Sequence, residues 1–172
     1  YTAAKHQEWL AYMATYTTVP PETSAANSGS TTNNSTPVTA PSGGTWLRPC
    51  SYTYMSSPFG YRQSPTSGAS TYHQAVDLAA PAMTPIYATR AGQVTTARYS
   101  NSAGNYVSIN HMDGFASIYM HMTSYVVSAG QTVSAGQLIG YVGKTGIATG
   151  NHLHFGISYN GVYVNPAQYV SF

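Results

Sequence analysis

From Thr45 onward the chain alternates apolar and polar positions in short runs, separated by Gly and Pro. Residues 85–88, 92–97, 106–109, 116–120 and 138–142 are the clearest of these runs, rich in β-branched and aromatic side chains. None keeps a helical period for a dozen residues. Short strands at this spacing predict an all-β domain built on an antiparallel sheet, a sandwich or a barrel. Asp113-Gly114 lies between two strand-like runs and predicts a hairpin turn. Ser128-Ala-Gly-Gln-Thr-Val133 is echoed by Ser134-Ala-Gly-Gln-Leu-Ile139. The echo is too brief for a repeat architecture and predicts two similar turn-to-strand transitions.

The first 44 residues have a different texture. Ala3, Ala4, Trp9, Leu10, Met13 and Ala14 recur at helical spacing, which predicts a short N-terminal helix over 1–18, the tail of a longer upstream helix. Such a helix is marginal on its own. Pro20-Pro21 ends it, because a proline disfavours helix at the residue before it. Residues 19–44 are Ser, Thr, Asn, Ala, Pro and Gly with one charge, Glu22. They bury too little apolar surface to offset their ordering entropy and read as a linker. The globular domain is expected over 45–172.

Composition narrows the function classes. Only 6% of the 172 residues are charged, and the net charge is +2. No face or run of Lys and Arg exists to meet a nucleic acid, and no apolar stretch reaches the ~20 residues of a membrane span. The apolar fraction of 42%, with 16 Tyr adding volume, supplies one core and suits a monomeric domain. Cys50 is alone and forms no internal disulfide. The Ser/Thr/Asn/Tyr-rich, charge-poor composition suggests an exported protein. The chain begins at Tyr1, so an export or anchor segment is expected outside residues 1–172.

Scarcity singles out the candidate chemistry. Past residue 44 the only carboxylates are Asp77 and Asp113. Asp77 follows His73 by four residues, and an H-x-H pair, His152 and His154, comes later. Leu153, Phe155 and Ile157 alternate with His152, His154 and Gly156, so both imidazoles leave one face of a strand. Asp77 sits in an apolar run ended by Pro81, with strand favoured over helix. A buried carboxylate needs a partner, and no neighbouring Lys or Arg in sequence supplies one. Neutral imidazole and carboxylate are zinc ligands, and a catalytic zinc usually keeps three protein ligands and one open position. Which member of the H-x-H pair would face a metal is open at this level. His121, among Tyr119, Met120 and Met122, reads either as a satisfied core histidine or as a further catalytic imidazole. His111 precedes a turn and reads as structural or solvent-facing, and His6 receives no role.

Other chemistries fail on inventory. There is no H-E-x-x-H, no Glu after residue 22, no G-x-S-x-G and no G-x-x-x-x-G-K-[ST]. Cys50, in Arg48-Pro-Cys-Ser51, has no helix N-terminus to activate a thiol.

The ordered motifs resemble the lysostaphin-type (LytM-like) zinc metallopeptidases that cut peptide cross-links of bacterial peptidoglycan. The resemblance runs from Ser57-Pro-Phe-Gly-Tyr-Arg62 through His73-x-x-x-Asp77, Ala80-Pro81, Pro85-Ile-Tyr-Ala88 and Gly92-x-Val94. It continues through Tyr119-Met-His121, Gly130-Gln-x-Val133, Gly136-Gln-Leu-Ile-Gly140, Gly143-x-Thr-Gly146, Thr149-Gly-Asn-His-Leu-His-Phe155 and Val164-Asn-Pro166. It implies the all-β fold of the lysostaphin-like (duplicated hybrid motif) peptidases and one bound Zn2+. It also implies His73, Asp77 and His154 as zinc ligands, with His121 and His152 as metal-free catalytic histidines. The family commonly has Gly two residues after the first ligand, where this chain has Ala75.

The resemblance thus implies a zinc endopeptidase acting outside the cell on peptidoglycan peptides, at the cell wall or cell surface. The rival reading is a non-catalytic cell-wall-binding or murein-hydrolase-activating module using the same groove. A structural zinc site is disfavoured because such sites are usually closed by four ligands. The bond cut is open between glycine bridges, direct cross-links and stem-peptide bonds.

Overall fold

In the computed structural model, which describes residues 44–63 and 70–172, the alternating runs form twelve β-strands and one short 3-10 helix, Pro166–Gln168. The helix expected over 1–18 and nearly all of the expected linker lie outside the described residues. The strands are β1 (Tyr54–Ser57), β2 (Gly60–Tyr61), β3 (Tyr72–His73), β4 (Val76–Ala79), β5 (Pro85–Tyr87) and β6 (Gly92–Ser100). They continue with β7 (Gly104–Asn110), β8 (Phe115–Tyr125), β9 (Thr132–Val133), β10 (Leu138–Val142), β11 (His152–Tyr159) and β12 (Val162–Val164).

Every strand pair described is antiparallel. One ten-stranded sheet runs β1-β4-β11-β8-β7-β6-β9, with β12 added beside β11 and β10 linking β8 to β5. β2 and β3 form a separate hairpin-like pair. The central strand β8 holds β11 along its first half and β10 along its second.

The apolar positions of these strands meet in one core. Val76 and Leu78 of β4, Leu153, Phe155 and Ile157 of β11, and Val107 and Ile109 of β7 are fully buried in it. A smaller cluster of Ala103, Tyr106, Ile118 and Met120 packs separately, with Tyr163 over it. Trp46 joins the main core edge-on to His111 and Phe115, at 5.1 and 5.6 Å between ring centroids. Its neighbour Leu47 is 40% exposed, with its backbone N–H donating to the Thr89 carbonyl at 2.9 Å.

The two echoed segments fold alike. Gln131 and Gln137 each return a backbone bond to the carbonyl three residues earlier, and each side chain accepts from the N–H of Ser128 or Ser134. The turns lead into β9 and β10. The Asp113-Gly114 turn joins β7 to β8, as its composition predicts. Cys50 is buried, and burial pushes its thiol up to about 12, which removes it from nucleophilic chemistry. Ala75 is buried and is not among the residues with positive φ, so no glycine is needed there.

Candidate active site

The site forms where β4, β11 and β8 lie side by side. In register, His154 is opposite Asp77 on one side and Met120 on the other, and His152 is opposite Ala79. Directly opposed residues share a face, so the two imidazoles of β11 and the Asp77 carboxylate all rise on the same side. His73 arrives from a different element. The strand favoured for the apolar run around Asp77 is β4, and a bend at residues 74–75 separates it from β3, which carries His73. That bend folds His73 back over Asp77.

Three atoms converge. His154 Nδ1 is 2.8 Å from Asp77 Oδ1, and His73 Nε2 is 3.3 Å from both. Among the described residues this is the one trio of metal-binding side chains so arranged. The edges of a tetrahedral set of ligands at zinc distances are ~3.3 Å, so two of the three separations already suit such an ion. The second ring nitrogen of His73 is also engaged. Its Nδ1–H donates to the Pro58 carbonyl at 2.9 Å, which leaves Nε2 bare toward the trio.

Asp77 also has the cationic partner that its sequence neighbours lack. Arg62 Nη1 lies 3.5 Å from Asp77 Oδ2 and also bonds Ser57 Oγ. The guanidinium comes from the turn after β2, 15 residues earlier, so local sequence could not reveal it. Burial alone would raise the Asp77 carboxyl, but hydrogen bonds and charge from His154 and His73 hold it well below the usual carboxylate range. Burial pushes the His154 imidazole down, against the pull of Asp77. Both shifts favour an ionised carboxylate beside neutral imidazole, the protonation states that ligate metal.

His121 reaches the same space by a break in β8. Asn105 pairs with Met122 and Val107 with Tyr119, so Met120 and His121 together oppose the single residue Tyr106. This is a β-bulge, and it falls where β8 leaves β11 for β10. His121 has φ 64°, a left-handed conformation uncommon outside glycine, and its N–H turns away to the Ala103 carbonyl. Strict alternation would have sent His121 toward the main core with Tyr119. Instead its ring lies 4.8 Å from that of His152 and 5.9 Å from that of His154. Burial first, then the neighbouring His154 and His152, push its imidazole down to about 3.

The two imidazoles outside the trio share one tautomer. His121 Nδ1–H donates to the Thr145 carbonyl at 2.8 Å, and His152 Nδ1–H to the Gly150 carbonyl at 2.9 Å. Each therefore keeps a bare Nε2, and that of His152 lies 3.8 Å from Asp77 Oδ1. A groove of about 400 Å³ opens over all five residues. Tyr54, Ser56, Tyr72 and residues 147–151 also line it.

His111 takes no part. It is buried and bridges the Ala91 carbonyl and Ser117 Oγ, whose hydroxyl continues to Tyr119 Oη. Its structural reading holds, and the solvent-facing one does not.

The fold is thus an antiparallel β-domain with two histidines and one aspartate, a set that could hold a metal ion, gathered in the lining of a groove. The model for Peptidase family M23 matches residues 71–166, more than half of the chain, and the chain belongs to that family. It is 40% identical over 126 residues to the DD-carboxypeptidase/endopeptidase Mpg of Neisseria meningitidis, covering 73% of this chain and 29% of that protein. It is 38% identical over 119 residues to the peptidoglycan DD-endopeptidase ShyC of Vibrio cholerae, covering 69% and 28%. The fold matches a zinc containing peptidase from Vibrio cholerae with a TM-score of 0.64 at 35% identity, over 68% of this chain and 37% of that one. The chain therefore spans about three tenths of the length of these curated relatives.

Proposed function

We propose that this protein is a zinc-dependent endopeptidase that hydrolyses peptide bonds in bacterial peptidoglycan, in cross-links or stem peptides. The observation that carries the reading is the convergence of His73 Nε2, Asp77 Oδ1 and His154 Nδ1 beside two further imidazoles with bare Nε2 atoms. His73, Asp77 and His154 would hold one zinc ion. Bound there, zinc supplies a Lewis acid for the scissile carbonyl and lowers the pKa of water.

The remaining roles fall to this chain's own side chains. Among the described residues, Asp77 is the only Asp or Glu that lines the groove. His121 and His152 are thus the available acid/base groups. Each holds its proton on Nδ1 and accepts another on Nε2, so either can take the proton of the attacking water and return it to the leaving amine. Burial keeps His121 neutral at physiological pH, with Nε2 unprotonated. The imidazolium formed lies near Asp77, whose charge stabilises it. Arg62 lies 3.5 Å from Asp77 Oδ2, and Oδ1, which faces His73 and His154, would hold the ion.

The likeness to a protein named for peptidoglycan, and the resemblance of the motifs to lysostaphin-type enzymes, support the substrate class. They also support action at the cell wall, outside the cytoplasm. Among the described residues no helix is long and apolar enough to cross a membrane. The alternative, a cell-wall-binding or hydrolase-activating module without turnover, finds no support in a site that keeps all five side chains in place.

The test is mass spectrometry of products from defined cross-linked muropeptides and glycine-bridged peptides, with zinc and with chelator. New amine and carboxyl termini that appear only with metal support the reading. Saturable binding without cleavage would establish the module instead.

A further inference from the structure

Both Nδ1–H groups that orient the proposed acid/base pair end on one loop, residues 143–151, between β10 and β11. The tie to His121 is the more elaborate. The Thr145 carbonyl accepts from His121 Nδ1–H at 2.8 Å. The Thr145 hydroxyl donates to the Met122 carbonyl at 2.6 Å, immediately after His121, and accepts from the Asn105 backbone N–H at 3.0 Å. The Asn105 side-chain amide donates to the Thr123 carbonyl at 2.8 Å. One threonine thus joins β7, the bulged segment of β8 and the loop carrying its own carbonyl.

Backbone fit shows how closely this knot is drawn. A Cβ on Gly104 would lie 2.2 Å from Thr145 Oγ1, and one on Gly146 would lie 2.3 Å from Gly104 N. Both glycines have positive φ, 67° and 74°. Ile147 N–H closes the far side on the Ser102 carbonyl at 2.9 Å. The sequence motif Gly143-x-Thr-Gly146 therefore has a physical content that a ligand list does not use.

We infer that Thr145 is a positioning residue for the reaction: its hydroxyl anchors the carbonyl that holds His121 in the Nδ1–H tautomer, with Nε2 aimed at the substrate. The His121 backbone N–H is fixed to Ala103 and its ring packs against those of His152 and His154, but packing does not choose between tautomers; the hydrogen bond from Nδ1–H to the Thr145 carbonyl does. The inference rests on the reading of His121 as an acid/base group.

Thr145→Val keeps the shape and removes the hydroxyl, and Thr145→Ser keeps the hydroxyl and removes the methyl. For Thr145→Val, kcat should fall about 10–100-fold, the usual cost of misplacing a catalytic group through its support, with bound zinc unchanged. KM should move less than about twofold, since ground-state binding is untouched. Thr145→Ser should recover most of the lost kcat, which a generic packing defect would not do. Long-range 1H–15N correlation spectra of the zinc-loaded protein give a readout independent of turnover. Wild type and Thr145→Ser should show His121 protonated at Nδ1, and Thr145→Val should show exchange or the other tautomer. If valine is not accommodated, Thr145→Ala removes the hydroxyl without filling the space. If the wild type cleaves nothing, the endopeptidase reading fails while the tautomer spectra still decide the inference. Unchanged kcat and unchanged tautomer in the hydroxyl-free variants would overturn it, as would a serine variant as impaired as valine.

Discussion

At the scale of single residues, the site divides four histidines between two environments. His73 and His154 face Asp77 within 3.3 Å, while His121 and His152 hang from loop carbonyls. Their variants should therefore separate. His154→Ala and Asp77→Asn are expected to lose both zinc and activity. His121→Ala and His152→Ala should keep zinc and lose about 10²–10⁴-fold in rate. Elemental analysis beside turnover distinguishes the two groups. Zinc loss from His152→Ala with retention in His154→Ala would reverse the assignment within the pair.

The same burial makes the metal-free fold sensitive to acid. An unfolded His121 takes up its proton near 6.5, whereas the folded one resists until about 3. His111 and His154 are pushed down by burial too. Between those limits the unfolded chain binds more protons, so acid favours unfolding. The cost is absent above about pH 6.5 and grows as pH falls toward 3. Ionised Asp77, whose carboxyl is also held low, adds to the loss at the acid end. Melting temperatures in chelator should fall steadily over that window. A flat profile would show that these imidazoles are not buried in the neutral form.

At the scale of elements, β11 and β8 show two ways of aiming a side chain. β11 keeps strict alternation: His152 and His154 face the groove, and Leu153, Phe155 and Ile157 are wholly buried. That pattern is readable from residue order, because the side-chain period of a strand is two. Leu153→Ala should therefore cost about 2–5 kcal/mol in denaturant unfolding, as expected for a buried leucine flanked by well-packed strands. A loss under about 1 kcal/mol would mean that the core collapses freely around β11. β8 breaks the alternation with a bulge at Met120 and His121. A bulge depends on how many residues the partner strand presents, so β8's own sequence left His121 open between core and catalysis. The bend between β3 and β4 is similar. Spacing placed His73 near Asp77, but not on a separate strand folded over it.

At the scale of the whole molecule, Trp46 is the first of the described residues to join the core, where it packs against His111, Phe115 and Tyr169. A chain starting at Gly44 should keep its zinc and activity and change in stability by less than about 1 kcal/mol. One starting at Arg48 should lose about 3–5 kcal/mol with the indole. Thermal unfolding of the two truncations tests this. A large loss in the longer one would mean that the first 43 residues dock on the domain, and a rise in its activity would mean that they occupy the groove.

The order of residues alone determined the all-β class, the hairpin at Asp113-Gly114, the twin turns before β9 and β10, and the shared face of the H-x-H pair. Each rests on local chemistry: alternation, turn-forming residues and the spacing of a single strand. The rarity of carboxylates also singled out Asp77 without any coordinates. Only the tertiary structure decided which atoms converge, because register between β4, β11 and β8 is a property of pairing and not of any one strand. It alone supplied Arg62 as the partner of Asp77 and the Thr145 and Gly150 carbonyls as the supports of His121 and His152. Those three contacts join residues 15, 24 and 2 positions apart, and the first two span elements whose approach is set by the packed sheet.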